Sequence, residues 1–188
     1  MGKTSDAADA PFPAGSVVLI TGIMGAGKSN VAQLLAERLP KAAHIGGDVF
    51  RRMIVRGRAE MVPAAGEEAL AQLALRYDLA ALVADRYARH GFSAIYQDIV
   101  LGDDLVKAQA RIRSRPLFLV VLAPRPDVVQ SRAKARGKPR GYGEWTVEAL
   151  DELLRATPRV GLWLDTSAQT PDDTAAELLR RAREAQVA

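Results

Sequence analysis

The chain has 188 residues, 48% of them apolar and 26% charged with the two signs mixed, which is enough for one buried core and excludes wholesale disorder. Its formal net charge of +4 favours anionic ligands but falls short of the dense basic patch of a dedicated nucleic-acid binder, so the composition argues against nucleic acid as the partner. The absence of cysteine excludes disulfides, thiolate metal sites and a cysteine nucleophile, and fits the cytoplasm.

Residues 1–14 are small and polar with two prolines, which reads as a disordered leader ahead of a single domain over 15–188. No apolar run approaches the roughly 20 residues of a membrane-spanning helix. The β-branched run 16-SVVLIT-21 predicts a buried parallel strand. After a glycine-rich stretch, Val31, Leu34, Leu35 and Leu39 recur at helical spacing until Pro40. A short apolar segment, 42-AAHI-45, leads to 46-GGD-48, where Asp48 is placed to cap a helix over 49-VFRRMIV-55. Residues 66–91 read as a long alanine- and leucine-rich helix closed by a glycine, and 93-SAIYQDIV-100 as a strand with Asp98 near its end. Helical pattern returns over 102–115, followed by the strand 117-LFLVVLA-123. Helices over 126–137 and 146–156 flank the loop 137-GKPRGYGE-144, and a fifth strand over 160–165 precedes a closing helix over 171–185 with an acidic first turn. Strands alternating with helices imply an α/β domain whose parallel sheet is covered on both faces. Ligands of such sheets lie at the C-terminal strand ends, where the glycines, Asp48 and Asp98 all fall.

The stretch 22-GIMGAGKS-29 joins the first strand to the first helix and fits G-x-x-x-x-G-K-[ST] in full. Its glycines free backbone N–H groups to wrap a β-phosphate, and the helix start aims partial positive charge at the same place. Lys28 reaches the outer phosphates and the Ser29 hydroxyl can ligate Mg²⁺. The nucleotide-holding residues are therefore Gly22, Gly25, Ala26, Gly27, Lys28, Ser29 and Asn30.

In this stretch, in 46-GGDVF-50, in 97-QDIVLG-102 and in 131-SRAKARG-137, the sequence resembles small P-loop kinases of the nucleoside-monophosphate-kinase-like fold, and among them the chloramphenicol phosphotransferase-like enzymes. The resemblance covers about residues 16 to 165. It implies a three-layer P-loop NTPase fold, with a five-stranded parallel sheet in the order 2-3-1-4-5, helices on both faces and a lid over about 132–144. It implies transfer of the γ-phosphoryl group of ATP, with Mg²⁺, to a hydroxyl of a small molecule that could be an antibiotic. Lys28, Asp48, Arg132 and Arg136 would be the catalytic set, Asp48 facing the hydroxyl and the arginines folding over the phosphates, with Arg132 also touching the nucleotide. Ser29 and Asp98 would serve the metal. The resembling enzymes often carry an acid just before the latter, where this chain has Gln97.

Each role has a plainer alternative. Asp48 can be only a helix cap, Asp98 only a hydrogen-bonding group, and Arg132 and Arg136 a solvated helix end, with Arg140 a further lid residue. The acceptor region, about 48–90, holds Arg51, Arg52, Arg56 and Arg58, any of which can hold an anionic group or remain solvated surface. Tyr77, Tyr87 and Tyr96 line a pocket or fill the core, while His44 and His90 lack ligand-like partners and read as structural. The loop 164–171 lies beside the adenine in similar kinases, and Thr166 and Ser167 there can equally form turns. No N-K-x-D or L-S-G-G-Q stretch supports a GTPase or a transporter ATPase. A nucleotide or nucleic-acid 5′-hydroxyl kinase, or a regulatory nucleotide-binding module without turnover, stays open.

Overall fold

A computed structural model describes residues 10–135 and 144–188. The uninterrupted apolar runs become strands buried along their whole length: β1 (Val17–Thr21) and β4 (Leu117–Leu122). They pair in parallel with each other, β1 pairs on its other side with β3 (Ser93–Gln97), and β3 with β2 (Ala42–Gly46). With β5 (Leu162–Leu164) against β4, the order is β2-β3-β1-β4-β5, as the resemblance implies. A sixth strand corrects the expected count of five: β6 (Gln186–Val187) runs antiparallel against Leu117 and Phe118 at the start of β4.

Helices cover both sides of the sheet. The helix α1 (Lys28–Glu37) packs on β2 and β3 and against α7 (Pro171–Arg180), while α3 (Glu67–Arg89) packs along β3 and β2 and on α4 (Asp103–Arg111). Between β2 and α3 lies a short α2 (Asp48–Arg52), and α5 (Pro126–Ala135) and α6 (Val147–Arg155) pack on each other. The expected closing helix over 171–185 breaks at Arg181 into α7 and α8 (Ala182–Ala185). The strand expected over 93–100 stops at Gln97, because the Asp98 carboxylate accepts the Ile99 N–H and turns the chain out of the sheet.

The core is continuous through the sheet, from Phe12 and Val17 to Leu178 and Ala185. Phe12 corrects the expected leader: its ring is 1% exposed and meets Phe118 edge to face at 4.9 Å. The Ser93 hydroxyl donates to the Phe12 carbonyl, so residues 12–13 belong to the packed domain. Burial of one such ring is worth roughly 1.5–3 kcal/mol, sufficient to hold a short polar segment against the fold. Among the described residues no helix is long and apolar enough to cross a membrane.

Candidate active site

Parallel strands bring their C-terminal ends to one edge, and the candidate residues collect there. The glycine stretch follows β1, Gly47 and Asp48 follow β2, and Asp98 follows β3. The ladder fixes their level: Asp98 N–H donates to the Ile20 carbonyl and Gly47 N–H to the Gln97 carbonyl. Across the order β2-β3-β1, the strands that carry Asp48 and the loop stand two strand spacings apart, about 10 Å. That is room for the outermost phosphate and an acceptor oxygen between them.

The loop is shaped for an anion. Gly22 has φ 141 and a Cβ there would overlap the Leu122 carbonyl oxygen, so only glycine lets the loop pass over the end of β4. Gly27 occupies the N-cap of α1 with no side-chain cap, and the first turn carries no acidic residue. The orphan N–H donors of that turn are thus offered to a ligand rather than to the protein. The Lys28 ammonium, 8% exposed, donates to the carbonyls of Gly22 and Ile23 at 2.9 Å each, which draws the charge onto the loop itself. Ser29 and Asn30 are exposed beside it.

A cleft of about 270 Å³ opens next to the loop. Its walls are Gly25, Ala26, Gly27, Asn30 and Val31 on one side and Arg132, Ala135, Thr166, Gln169, Pro171 and Thr174 on the other. The segment expected beside the base thus does face the loop. Arg132 lines this cleft: its Nη2 donates to the carbonyls of Thr166 at 3.0 Å and Gln169 at 3.3 Å, which ties α5 to the loop after β5. Thr166 is 3% exposed and its hydroxyl has no described hydrogen-bond partner. Ser167 forms the expected turn, donating from N–H and hydroxyl to Asp165, which holds that carboxyl below its ordinary value. Arg136, Arg140 and most of the expected lid lie outside the described residues.

On the β2 side, Asp48 is the first residue of α2 and caps nothing, since Gly47 takes the N-cap position and no side chain caps it. The helix-cap alternative for Asp48 is thereby corrected. Its carboxylate, half exposed, faces three guanidinium groups: Arg51 at 3.2 Å, Arg52 at 3.3 Å and Arg76 at 3.7 Å. Arg51 and Arg58 also pair with Glu60, whereas Arg56 is exposed on the following loop.

Arg76, on α3, was not singled out in the sequence, and it organises this side. Its Nε donates to Asp98 Oδ2 at 2.7 Å and its Nη2 to Oδ1, a bidentate pair on a carboxylate with no exposed surface. Asp98 also accepts from Ile99 N–H at 2.7 Å and Tyr96 hydroxyl at 3.4 Å. These are protein donors, not the metal shell expected for Asp98. Gly47 seats directly on the same carboxylate, where any Cβ would overlap Oδ2, so the turn carrying Asp48 is moulded on the Asp98–Arg76 pair. Burial beside Asp98 pushes the Tyr77 and Tyr96 hydroxyls well above the ordinary phenol value, and Tyr77 donates to the Ile99 carbonyl. Both are core, while Tyr87 is exposed against Phe92. His44 meets Gln33 and the His90 carbonyl accepts from Lys41, in agreement with structural roles.

The AAA domain family matches residues 17–160 of the chain. Among solved structures, an APS kinase of Mycobacterium tuberculosis in complex with AMPPNP and APS is similar at 21% identity and TM-score 0.67, over 89% of this chain and 97% of that one. A sugar kinase of Janibacter is similar at 19% identity and TM-score 0.62, over 92% and 96%. A tunicamycin resistance protein of Deinococcus radiodurans is similar at 17% identity and TM-score 0.61, over 92% and 98%. At these identities the likeness is one of fold. No curated protein matches the chain in sequence.

Proposed function

The chain belongs to the AAA domain family, and from that premise we propose that it is an ATP-dependent kinase that moves the γ-phosphoryl group to a hydroxyl of a small molecule. The observation that carries the reading is the shared edge: an uncapped helix start with its lysine after β1, and the half-exposed carboxylate of Asp48 two strands away. In the transfer, the acceptor oxygen forms a bond to the γ-phosphorus while the bond to the β–γ bridging oxygen breaks. ADP leaves, and the hydroxyl proton passes to Asp48 and onward to solvent. Loop amides and Lys28 hold the phosphates, and Asp48 orients the hydroxyl in line, so most of the rate comes from positioning and charge neutralisation.

Mg²⁺ fits the residues present in one respect. It keeps most of its waters and takes substrate phosphates with one or two protein oxygens, a demand that the exposed Ser29 hydroxyl at the loop meets without an acidic cluster. When bound it would neutralise charge on the phosphates. The nucleotide base belongs in the cleft between the loop and Thr166, beside Arg132. The acceptor belongs between Asp48 and α3, and a chloramphenicol phosphotransferase-like role in antibiotic resistance is the specific form of the reading, supported by the four quoted motifs and by the fold shared with a tunicamycin resistance protein. Arg136 and Arg140 remain proposed lid residues.

The test is a mass-shift screen with ATP, Mg²⁺ and pooled hydroxylated compounds, oligonucleotides with free 5′-hydroxyls included. The native chain is expected to add one phosphoryl group to a small-molecule member, and Asp48→Asn to lower that rate by about 100-fold or more. Tight ATP binding with transfer to no member supports a regulatory module instead, and transfer to the oligonucleotide supports the 5′-hydroxyl kinase.

A further inference from the structure

The outer face of α3 carries a pattern that neither the core nor the nucleotide edge uses. Tyr77, Ala80, Ala81, Ala84 and Ala88 form the buried side of this helix. On the opposite side Leu75 and Leu82 are each 50% exposed, with Leu79 half-buried between them, and at about 100° per residue the three fall on one stripe. Glu68 and Arg89 continue that stripe, each seven residues beyond a leucine, and both are exposed, as is Arg86 one turn further in. The 23 residues of α3 give the face a length of about 34 Å.

Scattered leucines on a surface need no partner, but these stand in order, with an acid at one end, leucines in the middle and arginines at the other end. The helix dipole accounts for acid at the start and base at the end; it does not account for their falling in line with the leucines. Asp78, at the margin of the stripe, is neutralised by Arg111 of α4 at 2.9 Å. Among the described residues Glu68 accepts from the Gln72 amide and Arg89 donates to the Asp85 carbonyl, and no ion pair is described for Glu68, Arg86 or Arg89.

A second copy of α3, laid antiparallel about a two-fold axis midway between Leu75 and Leu82, answers this order. Leu75 meets the partner's Leu82 and Glu68 meets the partner's Arg89, and the axis makes each contact twice. A seven-residue spacing keeps such a seam together along two helices crossed at about 20°. The parallel arrangement fails on charge, because it sets Glu68 on the partner's Glu68 and Arg89 on the partner's Arg89. The face is therefore complementary to itself in one orientation.

We propose that the chain forms a two-fold dimer through the outer face of α3, antiparallel, with Leu75 and Leu82 at its centre and Glu68 paired with the partner's Arg89 at each end. One helix pair makes an interface at the small end of the specific range, so the dimer is reversible and depends on concentration. The proposal stands apart from the kinase reading, since no residue of the stripe lines the cleft or pairs with Asp48.

The experiment is sedimentation equilibrium of the full chain from about 1 to about 300 μM, with far-UV circular dichroism to check that each variant is folded. The native chain is expected to pass from one to two times its 20.2 kDa mass with a Kd of about 30 μM or tighter. Leu82→Glu, a change at an exposed position, is expected to stay at 20.2 kDa throughout. Glu68→Arg and Arg89→Glu alone are each expected to weaken association by about 10-fold, because the axis turns two attractions into two repulsions. Both reversals in one chain are expected to restore it to within about 3-fold of native. Only the antiparallel register makes the second reversal a rescue, and a chain that regains association cannot have lost it by unfolding. A native chain that is monomeric at about 300 μM overturns the proposal and leaves the face to a helix of another protein. A dimer that Leu82→Glu leaves intact overturns it too, as does a double reversal no stronger than the single ones.

Discussion

The Arg76 guanidinium decides how the acceptor side is built, because the carboxylate it grips has no exposed surface and the Asp48 turn rests on that carboxylate. Arg76→Met leaves Asp98 charged and buried among two tyrosines, and is expected to lower unfolding free energy by about 3–5 kcal/mol in urea titration. Gly22→Ala forces a Cβ against the Leu122 carbonyl at a left-handed φ and is expected to cost about 2–4 kcal/mol by the same measurement. His44 carries the pH dependence. Its Nδ1–H faces Gln33 Oε1 at 2.9 Å, while Nε2 is buried with no hydrogen-bond partner among the described residues, and burial lowers its value from 6.5. A lowered folded value means that the unfolded chain binds the proton more readily, so the contribution is full above 6.5 and is lost as pH falls through the folded value. His44→Gln is therefore expected to show a smaller drop in Tm than the native chain between about pH 7 and about pH 5. The glycine loop was legible in the sequence because each position there answers a local backbone demand. Arg76 was not, because its partner lies 22 residues away and a helical arginine reads as solvated surface.

Elements were legible where their signal is local and repeated. The fully buried β1 and β4 and the alanine-rich α3 fall within a few residues of expectation, since burial on both faces and unbroken helical spacing leave few alternatives. The start of α7 carries a capping box, with Thr170 accepting from Asp173 N–H and Asp173 accepting from Thr170 N–H, and Pro171 in the first turn. Thr170→Ala is expected to cost about 1 kcal/mol in thermal unfolding. The same residue's backbone carbonyl accepts from the Thr174 hydroxyl on the cleft wall, a bond the alanine keeps. Two elements gave no sequence signal. Strand β6 is two residues long, and it exists because the edge of β4 below β5 offers unpaired backbone. The break falls at Arg181, whose backbone leaves helical geometry with φ −108 and ψ 17, while its ion pairs to Glu177 and Glu184 have a spacing that reads equally well as one continuous helix.

At the scale of the whole molecule, the strand order follows from the resemblance and from the right-handed crossovers that alternating strands and helices enforce. It places the cleft beside the glycine loop on the β1 side and the arginine-ringed Asp48 on the β2 side of one edge. The sheet edge that carries the candidate site was thus legible in the sequence, while its electrostatics were not, since the ring of arginines depends on α2, α3 and the loop between them converging in space. The proposed transfer requires one geometry: loop amides and Lys28 hold the phosphates of ATP and point the last one at Asp48. A crystal structure with AMPPNP and Mg²⁺ tests it most directly. The expected result is the β-phosphate about 3 Å from backbone N–H groups of Gly25 to Ser29, the base in the cleft beside Arg132 and Thr166, and the γ-phosphate turned toward Asp48. A nucleotide bound elsewhere, or one in the loop whose γ-phosphate faces away from Asp48, would contradict it.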